Sequence, residues 1–107
     1  MVRYHPAAVA EERALPSRER VAMANAAAKL QAAGPALGFP HQSAVQGTDL
    51  RELRPRAGRS PWRGLYQRIG DEFVIGAIAP EAMVDRRGFD QAVRRCQDRL
   101  AEVEESG

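Results

Sequence analysis

The stretch Asp49–Arg68 reads DLRELRPRAGRSPWRGLYQR, and its twenty residues hold six arginines against two acids, Asp49 and Glu52. Polar and apolar side chains alternate in LRELR, which predicts a short strand. PRAGRSP is a turn rich in breakers, and WRGLYQ predicts a returning strand. Strand parity sets Glu52 and Arg54 on one face, and likewise Arg63, Leu65 and Gln67. With Arg54 and Arg63 on the same side, two fixed cations on adjacent strands would form a cradle for phosphates.

Towards the C-terminus, Gly70-Asp71 predicts a tight turn into Phe73–Ala79. That FVIGAIA run reads as the most buried strand, central in the sheet. Pro80 closes it, and PEAMVDRRG is a connection. Phe89, Val93, Cys96, Leu100 and Val103 recur at helical spacing, so a last amphipathic helix is expected over about 88–105. Towards the N-terminus, residues 34–47 read as a loop anchored by Leu37, Phe39 and Val45. Before it runs a helix capped by Ser17, with a stripe of Met23, Ala26, Ala27, Leu30 and Ala33, ended by Gly34-Pro35. An earlier helix, Ala7–Arg13, opens at Pro6, and Val2–Tyr4 reads as a short first strand.

The expected architecture is α+β. A helical hairpin over about 6–34 packs on a small antiparallel sheet of three to four strands, about 50–79, and a C-terminal helix follows. In this reading the helices cover one sheet face and the other is partly open, carrying the arginines.

A length of 107 residues predicts one domain, 1–107, large enough for a core without staples. Its net charge of +2 is too small for a general polycation, so the +4 concentrated in Asp49–Arg68 matters more. The single Cys96 excludes an internal disulfide and a cysteine-rich zinc site. No metal-ligand spacing or glycine-rich phosphate loop is visible, and no metal or small-molecule cofactor is expected. No apolar run of about 18 residues is present, so a cytoplasmic protein with no membrane partner is expected. Fifteen arginines against one lysine, with nineteen alanines, point to a G+C-rich genome. That bias weakens any argument that an individual arginine was chosen over lysine.

Three motifs carry a family resemblance: Gly34-Pro35-Ala36-Leu37 with Pro40, then Glu52-Leu53-Arg54, then Trp62-Arg63-Gly64-Leu65-Tyr66. Their order and spacing, from Ala7 to Leu100, resemble the RelE/ParE superfamily of toxins from bacterial type II toxin–antitoxin systems. The phage-derived, HigB-like branch is the most similar. The resemblance implies a ribosome-dependent mRNA endonuclease that cuts phosphodiesters without a metal. It also implies a cognate helix-turn-helix antitoxin. Arg54 and Arg63 match the family's strand arginines near the scissile phosphate. Where relatives carry a His-x-Phe-x-Lys-Lys-like segment, this chain has Ala79-Pro80-Glu81-Ala82-Met83-Val84-Asp85. The alternative is a protein of the same fold without nuclease activity, directed at gyrase or catalytically silent.

RNA cleavage through the 2′-hydroxyl needs a base, stabilisation of phosphorane charge and an acid. Arginine suits only the second task. Arg54 and Arg63 are therefore the candidates for it, and Glu81 and His41 the candidate proton carriers. Arg56, Arg59 and Arg68 would steer RNA. The structural readings are an Arg54–Glu52 ion pair, a Glu81–arginine pair, a solvated His41 and Asp85 as a helix cap. Tyr66, Trp62 and Cys96 are read as core residues.

Overall fold

The computed structural model describes residues 1–106. Its elements are β1 (Val2–Tyr4), α1 (Pro6–Arg13), α2 (Ser17–Ala33), β2 (Gln42–Ala44), β3 (Arg51–Leu53), β4 (Trp62–Ile69), β5 (Glu72–Pro80) and α3 (Arg86–Ser106), with short 3-10 turns at Gly34–Ala36 and Pro55–Gly58. The expected α+β architecture is present, with a larger sheet. Five strands lie in the order β1-β5-β4-β3-β2. Neighbours β2 to β5 are antiparallel, whereas β1 runs parallel to β5, Val2 facing Phe73 and Tyr4 facing Ile75. The added strand β2 lies inside the segment read as a loop; its Gln42-Ser43-Ala44 has no apolar alternation to reveal it.

Helix boundaries follow their local chemistry. Pro6 occupies the first turn of α1, where its missing N–H costs nothing, and the His5 ring nitrogen Nδ1 accepts from the Ala7 amide at 3.0 Å. Ser17 is the first residue of α2 rather than its cap, since Pro16 takes the cap position and the Ser17 hydroxyl accepts from Arg20 Nη2. Asp85 caps α3: its Oδ1 accepts from the Gly88 amide at 2.8 Å.

Two apolar cores sandwich the sheet. Met23, Ala26 and Leu30 of α2 and Ala8 of α1 pack with Leu53, Tyr66, Phe73, Ile75 and Ile78. On the opposite face, Phe89, Ala92, Cys96 and Leu100 of α3 pack with Leu65, Val74, Ala77 and Ala79. The expectation of a partly open, arginine-bearing face is therefore corrected: α3 covers it. Every residue from Phe73 to Ala79 is buried, because β5 has a helix on each side. Phe39, expected to anchor the core, is 74% exposed.

Beyond the three residues that pair with β1, the edge of β5 is closed by side chains. Glu11 Oε1 accepts from the Ile78 amide at 3.0 Å, and Arg99 Nη1 donates to the Gly76 carbonyl at 2.9 Å. Glu11 and Arg99 pair with each other through both carboxylate oxygens, at 3.1 and 3.0 Å. No helix among the described residues is long and apolar enough to cross a membrane.

Candidate nucleic-acid interface

Arg63 lies on β4 opposite Ala79, on the face that α3 covers, and its side chain is 2% exposed. Nε donates to Glu52 Oε1 at 3.3 Å. Nη1 donates to the Ser60 and Trp62 carbonyls at 2.6 and 2.9 Å, and Nη2 to the Gly58 carbonyl at 3.3 Å and to Glu81 Oε2. A guanidinium has five N–H groups, and all five are engaged. Arg63 therefore stitches the β3–β4 connection to the start of the β5–α3 loop and offers no N–H to an anion. That departs from the expected pair of free phosphate ligands. Glu81, with its side chain 26% exposed, is the partner that neutralises it.

Arg54 is held differently. Nε donates to the Pro40 carbonyl at 3.0 Å and Nη1 to Glu52 Oε1 at 3.2 Å. Its Nη2 bonds no acceptor among the described residues. The guanidinium carbon stands 5.2 Å from the centroid of the exposed Phe39 ring. Gly58 closes over this group: its φ of +92° is a left-handed conformation, and a Cβ there would lie 2.5 Å from Arg54 Nη2.

The turn ahead of β4 is tied to α2. Arg56 and Ala57 adopt left-handed φ values of 53° and 55°, an unfavourable conformation for residues with a Cβ. Glu19 holds the turn in place: Oε1 accepts from Ser60 Oγ at 2.7 Å and Oε2 from Arg56 Nη2 at 2.6 Å. The Ser60 hydroxyl draws the Glu19 pKa below the usual carboxylate value; burial opposes it, and the hydrogen bond and charge of Arg56, with the Arg18 charge, add to the lowering.

A groove of about 330 Å³ runs between α2 and this turn. Arg18, Asn25 and Lys29 form the α2 wall, and His41, Arg54, Arg56 and Arg59 the other. Val21, Ala22 and Ala26, also on α2, and Leu53 complete the lining. Five cationic side chains thus line a concave strip; Arg56 is paired with Glu19 and Arg54 with Glu52, which leaves a net positive charge on Arg18, Lys29 and Arg59. Such a strip suits a polyanion. Arg68 does not join it. That residue sits at the far end of β4, over the Phe73 ring at 5.9 Å, roughly 20 Å along the strand from Trp62.

Residues 10–75 match the model of the family described as Phage derived protein Gp49-like. The chain belongs to this family. The Gp49-like protein is also similar in fold to a solved structure of the Escherichia coli toxin RelE, a double arginine-to-alanine mutant in the free state. The match has 19% identity and a TM-score of 0.62, and covers 89% of this chain and 95% of that one. No curated protein sequence matches the Gp49-like chain. Family and fold together bear out the resemblance to RelE-like toxins drawn from the three motifs.

Sequence reasoning missed half of this groove. Arg18, Asn25 and Lys29 recur at a spacing of seven and four, which places them on one helix face. That polar spacing is the signal in the sequence, beside the apolar stripe of the same helix. Tyr66, Trp62 and Cys96 are where expected, buried or packed against the two cores.

Proposed function

We infer that this Gp49-like protein is the toxin of a bacterial type II toxin–antitoxin pair, acting in the cytoplasm as a ribosome-dependent mRNA endoribonuclease. The observation that carries the reading is the basic groove, lined by Arg54, whose Nη2 bonds no acceptor among the described residues, and by His41 on the same wall. In this mechanism Arg54 binds a non-bridging phosphate oxygen and stabilises the charge that grows as the 2′-oxygen attacks phosphorus and the bond to the leaving 5′-oxygen breaks. Its orientation is set by Glu52 and the Pro40 carbonyl before substrate arrives. His41, the imidazole on the groove wall, is the proton carrier. Arg56 and Arg59 hold flanking phosphates. Glu81 and Arg63 act as a positioning pair beneath the turn. A cognate helix-turn-helix antitoxin neutralises the toxin by covering the groove or docking on the domain.

A second reading, a RelE-fold toxin homologue without nuclease activity, is favoured by one specific observation. Arg63 has no N–H left for phosphate and Glu81 is bound to it, so His41 is the one assigned proton carrier remaining.

Controlled expression in a bacterial host, with growth and mRNA 5′ ends recorded together, tests the first reading. Wild type is expected to arrest growth and produce cuts inside translated frames. Arg54→Ala and His41→Ala are expected to lose both. Arrest without cuts moves the target away from mRNA, and no arrest from a soluble, folded protein leaves the silent homologue.

A further inference from the structure

An exposed aromatic ring beside a fixed guanidinium, at the side of a basic groove, is a specific piece of recognition chemistry. Phe39 is 74% exposed, precedes Pro40 in the turn before β2, and touches no apolar core. Arg54 stands against its ring at 5.2 Å and is itself locked by Glu52 and the Pro40 carbonyl. Core packing accounts for none of this exposure. The rest of the ring faces solvent two residues from His41, and Arg54 and His41 both line the groove whose far wall carries Arg18, Asn25 and Lys29.

We propose that the groove is a single-strand RNA track in which one base stacks on Phe39 while the backbone runs between the α2 cations and the β3–β4 turn. Resting on the ribonuclease reading, it assigns Phe39 as a base-stacking residue of that site. Stacking on an aromatic side chain requires a base that is not stacked within a duplex. The cations supply the sequence-independent part of binding, because each neutralised phosphate releases counterions. Arg54 sits where the two parts meet, its guanidinium against the Phe39 ring and its side chain lining the groove. Asn25, with a donor and an acceptor on the α2 wall, is positioned for a base edge. A paired helix would present phosphates to the same cations and leave Phe39 empty.

The test uses the purified full chain and a labelled RNA about 12 nucleotides long, free or annealed to its complement. Single-stranded RNA is expected to bind more tightly than the duplex. Phe39→Ala is expected to weaken single-strand binding at least about fivefold without changing duplex binding, and Phe39→Tyr to restore it. Arg18→Ala with Lys29→Ala is expected to lower the slope of log affinity against log salt by about 1.4. All three side chains are exposed or groove-lining, and circular dichroism of each variant checks the fold. Equal affinity for single strand and duplex, or wild-type affinity in Phe39→Ala, overturns the track. A groove that binds no RNA, and whose variants lose a co-expressed antitoxin instead, is a protein interface and overturns it too. Growth arrest with cuts that persist unchanged in Phe39→Ala sinks the stacking site and leaves the nuclease standing. Phe39-dependent binding in a protein that cuts nothing leaves the track and sinks the nuclease.

Discussion

Arg54 and Arg63 donate to the same carboxylate oxygen, Oε1 of Glu52, at 3.2 and 3.3 Å. One acid thus joins a buried arginine that is fully bonded to a groove arginine that is not. The two flank the same turn, Arg54 just after β3 and Arg63 near the start of β4, and are opposite in what they can do.

Their variants should therefore separate stability from activity. Arg63→Ala leaves Glu52 and Glu81 facing each other and three carbonyls without a donor, so a loss of about 3–5 kcal/mol is expected. Arg54→Ala removes a partly exposed pair and should cost about 1 kcal/mol or less. Urea unfolding of the two purified variants measures both. Comparable losses would mean that Arg54 is as structural as Arg63.

Acid should loosen the turn that borders the groove. Glu19 is held below the ordinary 4.5 by Ser60 and Arg56. Burial pushes Glu11 up, but hydrogen bonds from Arg99 and the Ile78 amide, with the Arg99 and Arg95 charges, outweigh it and bring the pKa down. A depressed folded-state pKa gives stability that is present above about pH 4.5 and lost as pH falls through the folded-state value. The urea midpoint of wild type should drop across that window. Glu19→Gln should start lower at neutral pH and drop less, and parallel curves would refute the linkage.

Cys96 should be chemically silent while the protein is folded. Its thiol is fully buried, and burial pushes its pKa up to about 12. At pH 8 the rate of labelling by an aromatic disulfide reagent is expected to follow global unfolding, rising with urea in step with the loss of helix signal. Rapid labelling in buffer alone would show that α3 lifts from the sheet without unfolding.

Glu11→Ala should cost about 1–3 kcal/mol, because it leaves the Ile78 amide at the sheet edge without its acceptor. It should also raise aggregation, since the uncovered part of β5 becomes an open edge. Glu11→Gln, which keeps an acceptor oxygen, is expected to recover much of the loss. Light scattering and urea unfolding together report the two effects.

Much of the fold was legible because its punctuation is local. Pro6, Gly34-Pro35, Gly70-Asp71 and Asp85 mark ends that the structure reproduces within a few residues. Two inferences about the sheet were missed for different reasons. The partners of β1 and β2 are not local: Val2–Tyr4 does not announce that it lies beside Phe73–Ile75, and Gln42–Ala44 has no periodicity. Cover on both faces, however, was readable. Phe73–Ala79 is apolar at both parities, and an apolar stripe on the last helix needs a partner, so the second face had an occupant. The position of Arg63 opposite Ala79 gave its face, while its five bonds depend on a turn whose left-handed Arg56 and Ala57 no motif signals.

The parallel pairing of β1 with β5 also bears on the order in which the molecule takes shape. Synthesis from N- to C-terminus makes Val2–Tyr4 about seventy residues before the strand it lies against. Until Phe73–Ile75 exists, Val2–Tyr4 has no strand to pair with, and closing so long a loop carries an entropic cost that local helices do not. The antiparallel pairs from β2 to β5 join neighbours in sequence and can form in turn. The groove, built from α2 and the turn ahead of β4, precedes β5 in the chain. A nascent chain thus holds every groove residue before it can complete its sheet, so an antitoxin that recognised the groove alone would have a target on unfinished toxin.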